Sequence, residues 1–184
     1  MASLTVFEPL FQELRIRKVL QHMPRGGVLV DVGCDQPQVF IDRVRKTMKR
    51  CIGIDEVVKP HVYENVRILQ QHLGKKIDIP KASADVVTMM AVLEHMKYPD
   101  DILKESARIL RPGGMLLVTV PSPASKPFLE IFARIGVVRK EMIEQHENYF
   151  TPDRLRSLCK KAGFRSCTVE LFEKGCNTFL KAVR

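Results

Sequence analysis

The stretch Val28-Leu29-Val30-Asp31-Val32-Gly33-Cys34-Asp35-Gln36-Pro37-Gln38 decides the fold. Its first five residues form a short, β-branched, mostly apolar run closed by a glycine. Such a run reads as a strand buried on both faces, which a parallel sheet requires. Upstream, Pro24-Arg25-Gly26-Gly27 ends a helical stripe over residues 7–23, with apolar groups at Phe7, Leu10, Phe11, Leu14, Val19 and Leu20. Arg15 and Arg17 interrupt that stripe. Downstream, residues 39–48 read as a basic-faced helix, and Cys51-Ile52-Gly53-Ile54 as a second buried strand ending at Asp55-Glu56.

The alternation continues along the chain. Residues 60–65 leave little room for a helix before a third strand, Val66-Arg67-Ile68-Leu69. A fourth strand spans 84–90 and a helix 100–110. Arg111-Pro112-Gly113-Gly114 then makes a turn into a fifth strand at 115–120. An apolar segment at 128–138 reads as helix, as does 151–162, capped by Thr151, started by Pro152 and stopped by Gly163. Two last strands, 166–172 and 177–183, have no helix between them and predict an antiparallel hairpin. The expected class is therefore α/β, a Rossmann-like doubly wound sheet of seven strands, mostly parallel, with a C-terminal antiparallel hairpin. One domain is expected over residues 1–184, with an N-terminal helix within 1–25 and a pocket or lid segment at 121–150.

The chain has 184 residues, 30 Lys+Arg against 21 Asp+Glu, and a formal charge of +9. Ordinary proportions of hydrophobic (45%) and charged (28%) residues exclude a disordered or fibrous protein. No stretch approaches the roughly 20 apolar residues of a membrane span. Residues 1–8 show no basic region followed by an apolar core, so no export signal is expected. The five cysteines, Cys34, Cys51, Cys159, Cys167 and Cys176, form no C-x-x-C pair. They read as reduced thiols in a cytoplasm, and no metal site is expected because no histidine neighbours a cysteine at ligand spacing. The positive surplus is compatible with an acidic partner such as nucleic acid, or simply with a solvated surface.

In open parallel sheets, ligands bind beyond the carboxyl ends of strands where the strand order reverses. The exit of the first strand, Asp31 to Gln38, is thus the first candidate site. Asp55, twenty-two positions after Gly33, ends the second strand. A carboxylate there can accept hydrogen bonds from both hydroxyls of a ribose. No G-x-G-x-x-G follows the first strand, which argues against a nicotinamide dehydrogenase.

On these residues the chain resembles the class I S-adenosylmethionine-dependent methyltransferases of the small-molecule branch. Residues 28–34 resemble the family's first motif and 51–55 its second. Most specific are Ala84-Asp85-Val86-Val87-Thr88-Met89-Met90-Ala91-Val92-Leu93-Glu94-His95-Met96 and Arg108-Ile109-Leu110-Arg111-Pro112-Gly113-Gly114. The resemblance implies S-adenosylmethionine as cofactor, with Asp31, Val32, Gly33, Cys34 and Asp35 shaping the loop at its methionine end. Asp55 and Glu56 would serve the ribose side, and Met90 and Ala91 would flank the methionine end. For the adenine amino group the nearest candidates are Gln71 or His72, with Asp78 further along. Asp35 and Pro37 stand where the family's second and third glycines do. Glycine there permits positive φ and close ligand approach, and proline removes a donor. The expectation is weakened cofactor binding.

Candidate bases for methyl transfer are His95, after the fourth strand, and His146, in the segment that would fold over the pocket. Each has the alternative of a structural or surface histidine. Cys34 reads as a small filler, since no base accompanies it. The segment 121–145 carries Phe128, Phe132 and Ile135 interleaved with Lys126, Arg134, Arg139 and Lys140. One hypothesis is a small-molecule methyl acceptor with an apolar part and an anionic group, such as a lipid-linked or phosphorylated sugar; the alternative is a packed lid helix. Two other classes stand beside the small-molecule transferase. One is a non-catalytic methyltransferase-like interaction module, suggested by Asp35 and Pro37. The other is a nucleic-acid methyltransferase, suggested by charge but lacking the Asp/Asn-Pro-Pro-Tyr and Pro-Cys motifs of those enzymes. The sequence leaves the oligomeric state open.

Overall fold

A computed structural model describes residues 8–125 and 150–184. Twelve helices and strands carry the architecture of these residues. They are α1 (Glu8–Leu20), β1 (Val28–Val32), α2 (Val39–Val44), β2 (Arg50–Asp55), β3 (His61–Tyr63) and β4 (Val66–Gln70), then β5 (Ala84–Met90), α3 (Pro99–Ile109), β6 (Leu110–Pro121), α4 (Pro152–Ala162), β7 (Ser166–Phe172) and β8 (Asn177–Val183). The strands form one sheet in the order β3-β4-β2-β1-β5-β6-β8-β7. The strand order reverses at β1, which pairs in parallel with β2 on one side and β5 on the other. Sequential strands therefore leave β1 in opposite directions, and a crevice opens between the exits of β1, β2 and β5.

Side-chain alternation along each strand divides the core into two layers. On one face, Val30, Val32, Met89 and Val118 pack with Ile102 and Leu103 of α3 and Leu155 of α4. On the other, Leu29, Cys51, Ile68 and Leu117 pack with Ile16 and Val19 of α1 and Phe40 and Ile41 of α2. The ends of α4 follow their local chemistry. The Thr151 side chain accepts the Arg154 N–H at 3.2 Å, Pro152 opens the first turn, and Gly163 takes the left-handed conformation at φ 87°.

The expected mixed sheet is present, with three corrections. First, the sheet has eight strands, not seven. The extra strand, β3, pairs antiparallel with β4, and the Asn65 side-chain NH₂ pins their turn to the carbonyls of Arg45 and Met48, each at 2.8 Å. Second, α2 ends at Val44 and the next residues form turns, so the helix is four residues shorter than expected. Third, Arg111-Pro112-Gly113-Gly114 lies inside β6. Leu110 already pairs with Ala84, and the extra residues bulge out before Met115 pairs with Val86. Gly113 permits this at φ 81°, and its N–H donates to the Arg184 carbonyl at 3.1 Å. The hairpin of β7 and β8 forms as expected, with β8 antiparallel to both β6 and β7.

Candidate cofactor cleft

Where β1 ends, Asp31 is only 2% exposed. Its Oδ1 accepts the Thr88 hydroxyl at 2.5 Å. Burial pushes its carboxyl up to about 7, against the lowering effect of the Thr88 bond and with a further push from Asp55. Gly33 follows at φ 75°, and its N–H donates to the Ile54 carbonyl at 2.7 Å, tying the exits of β1 and β2 together. The Cys34 thiol turns into the core beneath Gly53, where an added Cβ would lie 2.8 Å from its sulfur. Burial, with Asp31 and Asp55 nearby, holds that thiol far above its ordinary range, so Cys34 is a packed filler and not a nucleophile.

Asp35 itself adopts the left-handed conformation that the family's glycine supplies, at φ 55°. Aspartate is among the few residues that tolerate it, because its short side chain bonds locally. Here Asp35 Oδ1 accepts the Gln36 N–H at 2.6 Å. The Asp35 backbone N–H donates to Asp55 Oδ2 at 3.0 Å, and the Val57 N–H donates to Asp55 Oδ1 at 3.1 Å. A carboxylate offers about four acceptor positions, so Asp55 keeps about two for a ligand diol. Pro37 is exposed and does not line the cavity; its carbonyl accepts the Val39 N–H at 2.8 Å. Asp35 thus supplies the turn while lining the cavity, and Pro37 is not among the lining residues.

These groups enclose a cavity of about 290 Å³ at the strand exits. Of the sequence candidates, Asp31, Gly33, Cys34, Asp35 and Asp55 line it, joined across the floor by Met90, Ala91 and His95. Val32 does not, because its side chain is buried in the core. Glu56 and His72 stand beside the cavity as a pair at 2.9 Å, and Glu56 also accepts the Leu73 N–H at 2.7 Å. Leu73, not His72, reaches the lining. Gln71 is tied into its own loop, receiving the Asp78 N–H and donating to the Lys76 carbonyl. His146 and most of the pocket segment, residues 126–149, lie outside the described residues; Phe150, just after them, is fully buried.

Sequence reading missed the contribution of α1. Gln12, Arg15 and Ile16 close one side of the cavity. The basic interruption of the α1 apolar stripe at Arg15 is the signal for it. Sequence reading also understates Glu94, in the short 3-10 turn Leu93–His95 after β5. Glu94 is 1% exposed, and no other described residue donates a hydrogen bond to its carboxyl oxygens. Burial raises its carboxyl to about 7, moderated by its own backbone N–H and by Arg15.

The donor set can be tested against S-adenosylmethionine. Three carboxylates, Asp31, Asp35 and Asp55, face the cavity with Arg15. That excess of negative charge suits a ligand bearing a sulfonium and an ammonium, and Asp55 would take the ribose. The residues fit the group. Among the described residues, no three His, Cys, Asp or Glu side chains gather as a metal site.

A family model described as a methyltransferase domain matches residues 8–169. The chain belongs to this family, the class I S-adenosylmethionine-dependent methyltransferases. It is 27% identical over 198 aligned positions to a ubiquinone biosynthesis O-methyltransferase of Thiobacillus denitrificans, covering 97% of this chain and 82% of that protein. It is 33% identical over 108 positions to a protein of Mycolicibacterium smegmatis named as a probable S-adenosylmethionine-dependent methyltransferase, covering 56% of this chain but only 41% of that relative. Among solved structures, a SAM-dependent methyltransferase from Archaeoglobus fulgidus superposes with a TM-score of 0.72 over 100% of both chains at 14% identity. That likeness bears on the fold. No helix among the described residues is long and apolar enough to cross a membrane.

Proposed function

We propose that the chain transfers a methyl group from S-adenosylmethionine to a hydroxyl oxygen of a small molecule. The observation that carries this reading is the cleft at the reversal of strand order, where Asp31, Asp55 and Arg15 line one cavity with His95. Bound there, the cofactor supplies an electrophilic methyl carbon. The protein's share is to hold donor and acceptor in line, worth about 7–11 kcal/mol of barrier in favourable intramolecular models. Asp31 and Asp35 serve the ammonium, and Asp55 the ribose hydroxyls left after its two backbone bonds. The oxygen acceptor is favoured by the relatives named as O-methyltransferases and by His95, which lies at the cavity on the turn after β5. His95 takes the proton that a hydroxyl must lose on methylation. Five unpaired cysteines suit a reducing, cytoplasmic setting.

The test is formation of S-adenosylhomocysteine with a panel of phenols, sugar phosphates, anionic lipids and amines. Turnover with a hydroxyl acceptor is expected, and His95→Gln is expected to lower kcat by 10²–10⁴ with cofactor affinity unchanged. Turnover confined to amines, or an unchanged kcat in His95→Gln, contradicts the reading.

A further inference from the structure

A second, larger cavity of about 700 Å³ lies at the opposite end of the sheet, where β1, β2 and β4 begin. Lys49, Arg50, Arg67 and Arg111 line it, together with Val28 and the exposed Val62. Register explains why these residues meet although they are far apart in sequence. Val28 pairs with Arg50, Ile52 with Arg67, and Val62 with Arg67. Arg50 and Ile52 lie two apart on one strand, so alternation puts both arginines on the same face. No helix stands between β4 and β5 to cover that corner.

The local acids are already neutralised. Arg111 Nη1 donates to both oxygens of Asp85, at 2.9 and 3.0 Å, and Glu64 pairs with Arg45. Lys49, Arg50 and Arg67 are exposed and have no ion-pair partner among the described residues. Arg50 and Arg67 on adjacent strands, with Lys49 just before β2, in a chain of net charge +9, favour a linear polyanion over a single small anion.

We propose that this groove binds the phosphate backbone of a nucleic-acid strand. Among the described residues no aromatic side chain lines the groove, so recognition rests on phosphates without sequence preference. The strand is held away from the methyl-transfer cleft. Arg50 and Asp55 stand at opposite ends of β2, about 17 Å apart at ~3.3 Å per residue. The nucleic acid is therefore a tether for the domain and not the methyl acceptor.

Fluorescence anisotropy of a labelled twelve-residue oligouridine tests this. Three phosphate contacts give a log–log salt slope of about −2, or a roughly 20-fold loss of affinity between 50 and 200 mM salt. The triple variant Lys49→Ala/Arg50→Ala/Arg67→Ala is expected to lose at least tenfold in affinity and most of the slope. Its circular dichroism and S-adenosylhomocysteine affinity should stay at wild-type values, because all three side chains are exposed and distant from the cleft. A control, Lys104→Ala/Lys160→Ala/Lys161→Ala, removes the same charge from α3 and α4 and should bind as wild type. Oligoadenosine should bind as oligouridine does. No binding at 50 mM salt, or equal losses in both triple variants, overturns the proposal. Displacement of the oligonucleotide by polyglutamate at equal charge also overturns it, in favour of an acidic protein segment.

Discussion

Gly33→Ala is expected to lose roughly 2–5 kcal/mol of stability in urea titration and to abolish cofactor binding. The residue sits at φ 75°, where a side chain costs about 1–2 kcal/mol. An added Cβ would also lie 2.2 Å from Val92 Cγ2 and 3.2 Å from Val92 Cβ. Val92 is β-branched and cannot swing aside freely, so overpacking adds about 1–3 kcal/mol. Either way the loop between β1 and α2 moves, carrying the Asp35 N–H away from Asp55. A companion change separates the two costs. Val92→Ala on the Gly33→Ala background relieves the clash but not the φ penalty, so it should recover about half the stability. Full recovery would mean that the backbone conformation at Gly33 is unimportant.

The second large effect is a fall in stability as pH rises. Asp31 and Glu94 have carboxyls raised by burial to about 7, from ordinary values near 4. The folded protein therefore binds more protons than the unfolded chain between about pH 4 and 7. By linkage, these two groups contribute full stability below that window and lose it as pH climbs through 7. At about 1.4 kcal/mol per unit, Asp31 contributes ~4 kcal/mol and Glu94 ~3 kcal/mol. Glu105 works in the opposite sense: Arg108 holds its carboxyl below the usual range, so its contribution is lost towards acid. The melting temperature is thus expected to peak near pH 5 and to fall by pH 8. Asp31→Asn and Glu94→Gln should each flatten that fall and melt higher than wild type at pH 8. Asp31→Asn should nonetheless bind cofactor more weakly, since the ammonium loses its anion. Wild-type stability that rises between pH 5 and 8 would contradict the burial of both acids.

A carboxylate kept in an apolar setting at the expense of stability is a common mark of a working site. Nothing in a linear sequence shows that cost. The sequence places Asp31 in a strand and Glu94 just after one, but their burial depends on the elements that close around them. The long strands were legible because their β-branched runs are continuous, and α4 because Thr151, Pro152 and Gly163 punctuate it. The edge strand β3 was not legible, since three residues carry no periodicity and its pairing depends on the Asn65 anchor. The loss of a donor at Pro37 is visible in sequence, but its place outside the cavity lining depends on how the loop after β1 folds. The basic groove was invisible for the same reason, because it arises from register between β1, β2 and β4.

Calorimetric titration of S-adenosylhomocysteine into the wild-type protein tests the cleft most directly. One site per chain is predicted, with thermal stabilisation of about 2.7 kcal/mol at a hundredfold excess over Kd. In Asp55→Ala, affinity should drop at least tenfold while the circular dichroism spectrum is retained. Absence of both heat and stabilisation at millimolar ligand, in a protein that is demonstrably folded, would mean that the hollow between β1, β2 and β5 does not receive a nucleoside thioether.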